Sequence, residues 1–383
     1  MNAFSSEREF PFRRLALVSN QAFSLCNFRS DFIREVVGRG VQVYAFAPDY
    51  EAETRSRVEA LGAIPVSFSL SRASMNPARE LLIVLKLMRK FSELNVDAVF
   101  SFFIKPVIYG GIAAWLAGIP LRYSMIEGAG YVYSGDGRDS ILRLFLRHIV
   151  TRAIRLSLGF SRRVFLLNQD DFNLFITPKM ARSGKVVVLP GIGVDLDYFS
   201  LSPAVQAPIT FVLVARLLKE KGVYDFVAAA RLVRSRNKFV RFLIVGGIDQ
   251  HPSAVPYAEI RQWVDEGLIQ WPGHVADVKT WVGNASVFVL PSYYREGLPR
   301  STQEAMSLGK PIITTDWIGC RETVMDGVNG FLVPVRDPTS LAAAMFRFIE
   351  RPALINSMGA ASRCLAEQRY DASVINSTVL SAL

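Results

Sequence analysis

Two successive series of short apolar runs, each run set off by a helical pattern, constrain this 383-residue chain more than any other feature. In the first series RRLALVSN (13–20), VQVYAFAPD (41–49), IPVSFSL (64–70), DAVFSFF (97–103), LRYSMIEG (121–128), RRVFLLN (162–168) and KVVVLPG (185–191) read as strands. RSDFIREVVGRG (29–40) and residues 77–93 read as helices between them. The pattern restarts after SLSPAVQAP (200–208), the expected linker. ITFVLVARL (209–217), VRFLIVGG (240–247), SVFVLPS (286–292), PIITTD (311–316) and NGFLVP (329–334) form the second series, with helices at 221–236, 259–267 and 341–350. Near-continuous apolar strands spaced by helices predict parallel sheets covered on both faces. Two such series predict two facing Rossmann-like, doubly wound α/β domains, with ligands beyond the carboxyl ends of the strands in an interdomain cleft.

Composition narrows the partners. Half the residues are hydrophobic, so a packed core is expected over extensive disorder. Cys26, Cys320 and Cys364 are odd in number and far apart, which gives neither a disulfide framework nor a zinc pattern. With His148, His251 and His274 as the only histidines, little room is left for a histidine-built metal site. The balance of 44 basic against 34 acidic residues attracts an anionic partner without identifying it. The basic residues Arg138, Arg143, Arg147, Arg152, Arg155, Arg162 and Arg163 interleave with Leu142, Leu144, Phe145, Leu146, Ile149 and Ile154. This stretch reads either as an interfacial amphipathic helix on an anionic membrane or as an ordinary basic surface helix. Regular aromatic interleaving is missing, so a nucleic-acid partner is not expected. The segment 99–121 carries a single charge and is long enough to cross a bilayer. Pro106 and Gly110-Gly111 punctuate it, however, and favour a buried strand, short helix and next strand. The N-terminal MNAFSSEREFPFRR has no apolar run of a signal peptide.

From residue 186 onward the chain resembles the retaining glycosyltransferases of family 4. The resemblance rests on LPGIGVDLDYF (189–199), VARLLKEKG (214–222), LIVGG (243–247), REGLPRSTQEAMSLGKPII (295–313) and CRETVMDGVNGFLVP (320–334). SMIEGAGYVY (124–133) and FLLNQDD (165–171) are most similar to enzymes that extend undecaprenyl-diphosphate-linked glycans. The resemblance implies a GT-B fold. The expected organisation is residues 1–200 as the N-terminal acceptor-binding domain, 201–360 as the nucleotide-sugar-binding domain, and 361–383 as a helical segment packing back toward the N-terminal domain. It also implies an enzyme without a required cofactor. The donor is expected to be a UDP-hexose or UDP-N-acetylhexosamine, and the acceptor a polyisoprenyl-diphosphate-linked saccharide. The expected location is cytoplasmic, peripheral on the inner face of a bacterial plasma membrane.

The candidate residues follow from the chemistry. Negative charge grows on the donor diphosphate as its glycosidic bond breaks, so fixed cations and backbone N–H donors are the groups to seek. Arg216 and Lys221, between a strand and the next helix, are placed on that diphosphate by the resemblance. Glu296 and Glu304 would stand about 12 Å apart along one helix. Glu296 fits better in the loop before a helix beginning near Pro299, with Glu304 inside that helix. Gly297, Leu298 and Pro299 then bring backbone and free helix N–H groups to an anion. The resemblance assigns Glu296 to donor-sugar hydroxyls and Glu304 to the ribose; composition alone allows Glu304 as a surface charge. Gly191 and Gly193 are expected to shape a ligand-lining turn, Gly246 and Gly247 to face base and phosphate, and His274 to lie beside the base in a structural role. In the N-terminal half the family's acceptor-side histidine is absent, and Glu127 stands there instead. Glu127 either orients or deprotonates the acceptor hydroxyl or organises its loop by hydrogen bonds. Asn20, Phe28 and Arg29 border a second place for an acceptor diphosphate, with Arg29 alternatively a surface helix residue. The implied chemistry is a front-face, retaining transfer. A transferase for a soluble acceptor, a noncatalytic relative and a basic binding protein are the competing readings.

Overall fold

A computed structural model describes residues 10–70, 77–134, 141–249 and 251–383. Residues 1–9, which entered the reading of the N-terminus, and Arg138 of the basic run lie outside the described residues, as does the side chain of Leu142. The chain divides into two compact units. Unit 1 takes Met1–Gly128, Asp139–Leu189 and Asn376–Leu383; unit 2 takes Ala129–Arg138 and Pro190–Ile375.

Unit 1 carries β1 (Arg14–Val18), β2 (Gln42–Ala47), β3 (Ile64–Ser67), β4 (Ala98–Phe102), β5 (Leu121–Ile126), β6 (Arg163–Leu166) and β7 (Val186–Val188). Its helices are α1 (Ala22–Phe28), α2 (Ser30–Gly38), α3 (Ala52–Ala60), α4 (Pro77–Glu93), α5 (Ile104–Leu116), α6 (Ile141–Phe160), α7 (Gln169–Phe175) and α8 (Pro178–Arg182). All strand pairs are parallel, in the order β3-β2-β1-β4-β5-β6-β7. The order therefore reverses between β1 and β4. Every residue of β4 is buried, because helices cover both faces. One part of the core gathers Val18, Phe46, Leu87, Phe91 and Ala113 from strands and helices alike.

Unit 2 carries β8 (Thr210–Val214), β9 (Arg241–Val245), β10 (Val287–Leu290), β11 (Ile312–Thr315) and β12 (Gly330–Val333). Its helices are α9 (Val223–Arg234), α10 (Tyr257–Asp265), α11 (Val278–Gly283), α12 (Arg300–Ser307), α13 (Pro338–Glu350) and α14 (Ala353–Arg369), and a last helix, α15 (Ala372–Ser381), begins in it. This sheet is also parallel, in the order β12-β11-β10-β8-β9. Phe211, Leu213, Phe226, Phe242, Val289 and Phe348 are among its buried residues. Truncating one of these phenylalanines to alanine costs roughly 3–5 kcal/mol.

The apolar runs of both series form the strands read from them, and two doubly wound sheets result. The sequence reading left out α1, α3, α7, α8 and α11. They are short, and α7 and α8 depend on caps more than on periodicity. The Asn168 side chain accepts the Asp171 N–H at 2.7 Å to start α7, and Thr177 caps α8 with Pro178 in its first turn. The 99–121 segment resolves into β4, the 13-residue α5 and the approach to β5. Among the described residues no helix is long and apolar enough to cross a membrane.

Candidate active site

In unit 2 the candidate side chains Arg216, Lys221, His274 and Glu296 stand on the segments after β8, β9 and β10. After β8 the chain makes a short 3-10 turn, Lys219–Lys221, and enters α9 through Gly222 at φ 76°. A Cβ at Gly222 would overlap the carbonyl oxygen of Pro291, so only glycine lets this turn lie against the end of β10. The Glu220 carbonyl accepts N–H bonds from Tyr293 at 2.8 Å and Tyr294 at 2.9 Å. These contacts fasten the two loops together and bring Lys221 onto Glu296.

The Lys221 ammonium donates to Glu296 Oε1, with side-chain exposures of 14% and 12%. The Ser292 hydroxyl donates to the same oxygen at 3.2 Å. The Tyr294 ring lies 5.2 Å from the ammonium, within cation–π range. A lysine ammonium has three donors, so the pair leaves Lys221 able to bond an oxyanion as well. Cys320 is buried nearby; burial, then the Glu296 charge, pushes its thiol up to about 12 and makes it unreactive at neutral pH.

Glu296 occupies the loop, and Glu304 the helix α12 that follows Pro299, as the spacing argument expected. Its N-cap residue is Pro299, which makes no side-chain cap bond. Glu304 is no surface charge. Arg300 Nε donates to it at 2.9 Å with both side chains mostly buried. Burial raises the Glu304 carboxyl above the ordinary range while Arg300 opposes the rise. A Cβ on Gly191 would stand 2.9 Å from Gln303 Oε1 and 3.0 Å from Leu298, so this glycine gives room to the α12 side of the site. Gly193 lies against Ala372, a contact with α15 rather than with the loops above.

Arg216 follows β8, is 47% exposed, and pairs with Asp249 at 2.9 Å. Gly246 ends β9 so close to the Ala215 carbonyl oxygen that a Cβ would overlap it. Trp271 Nε1 donates to the Gly246 carbonyl at 2.9 Å. His274 is exposed and borders Gly247, where a Cβ would stand 3.3 Å from the histidine's own. Among the described residues no group of three or more histidine, cysteine, aspartate or glutamate side chains comes together to hold a metal ion.

The segment after Glu127 also joins unit 2. The Gly130 N–H bonds the Arg295 carbonyl at 3.2 Å, and the Arg295 N–H bonds Ser134 Oγ at 2.7 Å. The loop that carries Glu296 is thus held on one side by the β8 turn and on the other by residues 130–134.

Unit 1 gives a different picture of Glu127. Arg29 Nη2 donates to Glu127 Oε1, with side-chain exposures of 4% and 7%. The guanidinium carbon sits 4.6 Å from the Phe102 ring centroid, and Nη2 lies 3.2 Å from Met125 Sδ. The reading of Arg29 as a surface helix residue is corrected: it stands in the joint between α1 and α2 and turns inward over the carboxyl ends of β4 and β5. No helical periodicity places a residue in such a joint on the buried side. Asn168 and Asp171 of the FLLNQDD segment serve the start of α7.

Sequence reading missed Gly222, Ser292 and Tyr294 around Lys221, and the partners Arg300, Asp249 and Arg29. Gly222 carried a signal, since a glycine one residue before a helical run marks a tight entry. The partners carried none, because each pairing depends on strand order.

Residues 208–351 match the family model described as Glycosyl transferases group 1. The chain is 26% identical over 350 residues to the N,N'-diacetylbacillosaminyl-diphospho-undecaprenol alpha-1,3-N-acetylgalactosaminyltransferase of Campylobacter jejuni, covering 88% of this chain and 89% of that one. It is also 26% identical over 284 residues to the UDP-Gal:alpha-D-GlcNAc-diphosphoundecaprenol alpha-1,3-galactosyltransferase of Escherichia coli, covering 70% of each. Among solved structures it is similar to Anabaena HepE in complex with UDP, with a TM-score of 0.73, 20% identity and coverage of 97% of this chain and 100% of that one.

Proposed function

We propose, from the premise that the chain is a glycosyltransferase of GT-B fold with a group 1 glycosyltransferase domain over residues 208–351, that it moves a hexose or N-acetylhexosamine from a UDP-sugar to a lipid-linked saccharide in surface-glycan assembly, with retention at the anomeric carbon. The observation that carries this reading is the Lys221–Glu296 pair, held by loops from the carboxyl ends of β8 and β10. Two relatives are named for transfer to undecaprenyl-diphosphate-linked sugars, and the HepE complex holds UDP, which supports both halves of the reaction.

In this reading Lys221, Arg216 and the first N–H groups of α12 neutralise the charge that develops on the leaving diphosphate. Arginine directs two hydrogen bonds to phosphate and lysine adds a point charge. Glu296, fixed by Lys221 and Ser292, holds the donor sugar's hydroxyls, with Gly297 and Leu298 forming the wall beside it. Glu304 accepts from the ribose. Gly246, Gly247 and His274 border the base and phosphates, and Gly191 keeps the approach to α12 open. The bond from the anomeric carbon to the β-phosphate oxygen breaks as the acceptor oxygen attacks from the same face. The acceptor's proton passes to the departing diphosphate.

The acceptor's lipid anchor accords with α6. Ile141, Leu144, Phe145 and Ile149 are exposed beside the exposed His148, Arg152 and Arg155. Exposed apolar residues grouped beside basic ones are what a helix lying on an anionic bilayer presents. We read the chain as bound peripherally to such a surface, on the face where nucleotide sugars are made.

The test is mass-spectrometric turnover of a nucleotide-sugar panel with polyprenyl-diphosphate-linked mono- and disaccharides. The expected result is addition of one sugar from a UDP donor, abolished in Glu296→Gln. Intact donors across the panel, or equal transfer to a lipid-free saccharide phosphate, would contradict the reading.

A further inference from the structure

The sheet of unit 1 reverses order between β1 and β4, and in doubly wound sheets ligands lie outside the strand ends at that point. Continuing the β1–β4 register by two residues sets Asn20 beside Phe103, and continuing the β4–β5 register sets Glu127 one position beyond them, beside Ile104. Adjacent strands are about 4.8 Å apart, so β1 and β5 are separated by about 10 Å here. Arg29 reaches across that gap to Glu127 over Phe102.

Two polar atoms of this edge, Arg29 Nε and Asn20 Oδ1, are buried without a hydrogen-bond partner among the described residues. Buried polar groups are normally satisfied, and an exception calls for an explanation. Phe103 is the second anomaly. It holds φ 70° and ψ 165°, a left-handed conformation that a bulky L residue adopts only under constraint, and its side chain is partly exposed. Strained backbone of this kind concentrates at ligand sites.

The orphan atoms select a ligand chemistry. Arg29 Nε needs an acceptor and Asn20 Oδ1 a donor, while the Glu127 carboxylate beside them, already accepting from Arg29, can accept further donors. A phosphate oxygen only accepts, and the Glu127 charge, which already neutralises Arg29, repels it. A sugar hydroxyl both accepts and donates. A pyranose also presents an apolar C–H face, which suits the negative face of the Phe103 ring. The geometry points to the β1–β4–β5 edge of unit 1 as a site for a neutral pyranose, the terminal sugar of the acceptor, and not for its diphosphate. Arg29 is then the positioning residue that holds Glu127 toward the sugar's hydroxyls. This inference rests on the glycosyltransfer reading above and names the part of the acceptor that this edge takes.

Ligand-observed NMR and calorimetric titration of the full chain test it. The probes are the phosphate-free methyl glycosides of N-acetylglucosamine, N-acetylgalactosamine, galactose and glucose, with UDP and inorganic pyrophosphate titrated on the same sample. At least one glycoside is expected to bind, to resist displacement by pyrophosphate, and to lose at least tenfold affinity in Asn20→Ala and Arg29→Met. UDP affinity should stay unchanged in both variants. Asn20→Ala removes no charge partner, so it decides the matter if Arg29→Met does not fold. Binding of UDP with no glycoside bound, displacement of the glycoside by pyrophosphate, or an unaltered affinity in Asn20→Ala would each overturn the inference alone. Failure to bind UDP would instead sink the donor reading, with the glycoside titrations still deciding this one.

Discussion

Both units carry a lysine or arginine paired with a glutamate beyond the carboxyl ends of parallel strands, yet the two pairs stand in different settings. Lys221–Glu296 is ringed by groups that complete it: the Ser292 hydroxyl, the Tyr294 ring and a glycine-only turn. Arg29–Glu127 is more deeply buried, and among the described residues Arg29 Nε and the nearby strand-end atom Asn20 Oδ1 have no hydrogen-bond partner. A completed pair next to the start of α12 suits a ligand that brings its own negative charge. An incomplete one next to an aromatic ring suits a ligand that brings hydroxyls. On the proposed reading, the same pairing of charges serves opposite ligand chemistries according to what surrounds it.

The sharpest way to break this comparison is to remove the donor-side cation. Lys221→Met is expected to lower kcat by about 10²–10³, the usual loss of one oxyanion-stabilising group. The chain should stay folded by circular dichroism, and a change below tenfold would remove Lys221 from the reaction. Next in size is the cost of opening the unit 1 pair. Arg29→Met leaves a buried carboxylate uncompensated and should destabilise unit 1 by about 3–5 kcal/mol, whereas the Arg29→Met/Glu127→Met double variant should recover most of that. Urea unfolding of the three proteins measures the difference; equal losses in the single and double variants would deny the coupling. Glu304→Ala deletes one proposed bond to the ribose and should weaken UDP binding by about tenfold, the worth of one hydrogen bond to a charged group. Calorimetry with UDP reads it.

The smallest expected effect lies at Lys310, which is buried and whose ammonium donates to the Pro203 and Gly283 carbonyls. Burial lowers its ammonium to about 8 from 10.5. Between those values the unfolded chain binds more protons, so folding stability gains as pH rises from 8 to 10. The Tm of the parent should rise by roughly 2–4 °C relative to Lys310→Met over that interval. A constant gap would mean that the lysine stays charged in the fold.

The donor-side elements were legible because they are local. Residues 295–313 carry Glu296, the glycine, the proline and Glu304 in one loop-and-helix stretch, and the spacing alone set one glutamate in the loop and the other in the helix. The strands were equally plain, since a parallel sheet buried on both faces writes itself as unbroken apolar runs. The acceptor-side pair was not legible. Arg29 and Glu127 are 98 residues apart, and only the β1–β4–β5 order brings them together. Sequence offered each separately, Arg29 as the border of an acceptor-diphosphate site or a surface helix residue, and Glu127 as a group acting on the acceptor hydroxyl or organising its loop. Lys221 and Glu296 are 75 residues apart, and their meeting was likewise hidden until the β8 and β10 loops were joined.

The steady-state KM for each substrate in Glu304→Ala and Asn20→Ala tests most directly whether unit 2 takes the donor and unit 1 the acceptor sugar. The account predicts that Glu304→Ala raises the KM of the nucleotide sugar about tenfold and leaves that of the acceptor unchanged, while Asn20→Ala does the reverse. A rise in the same KM for both variants would contradict it.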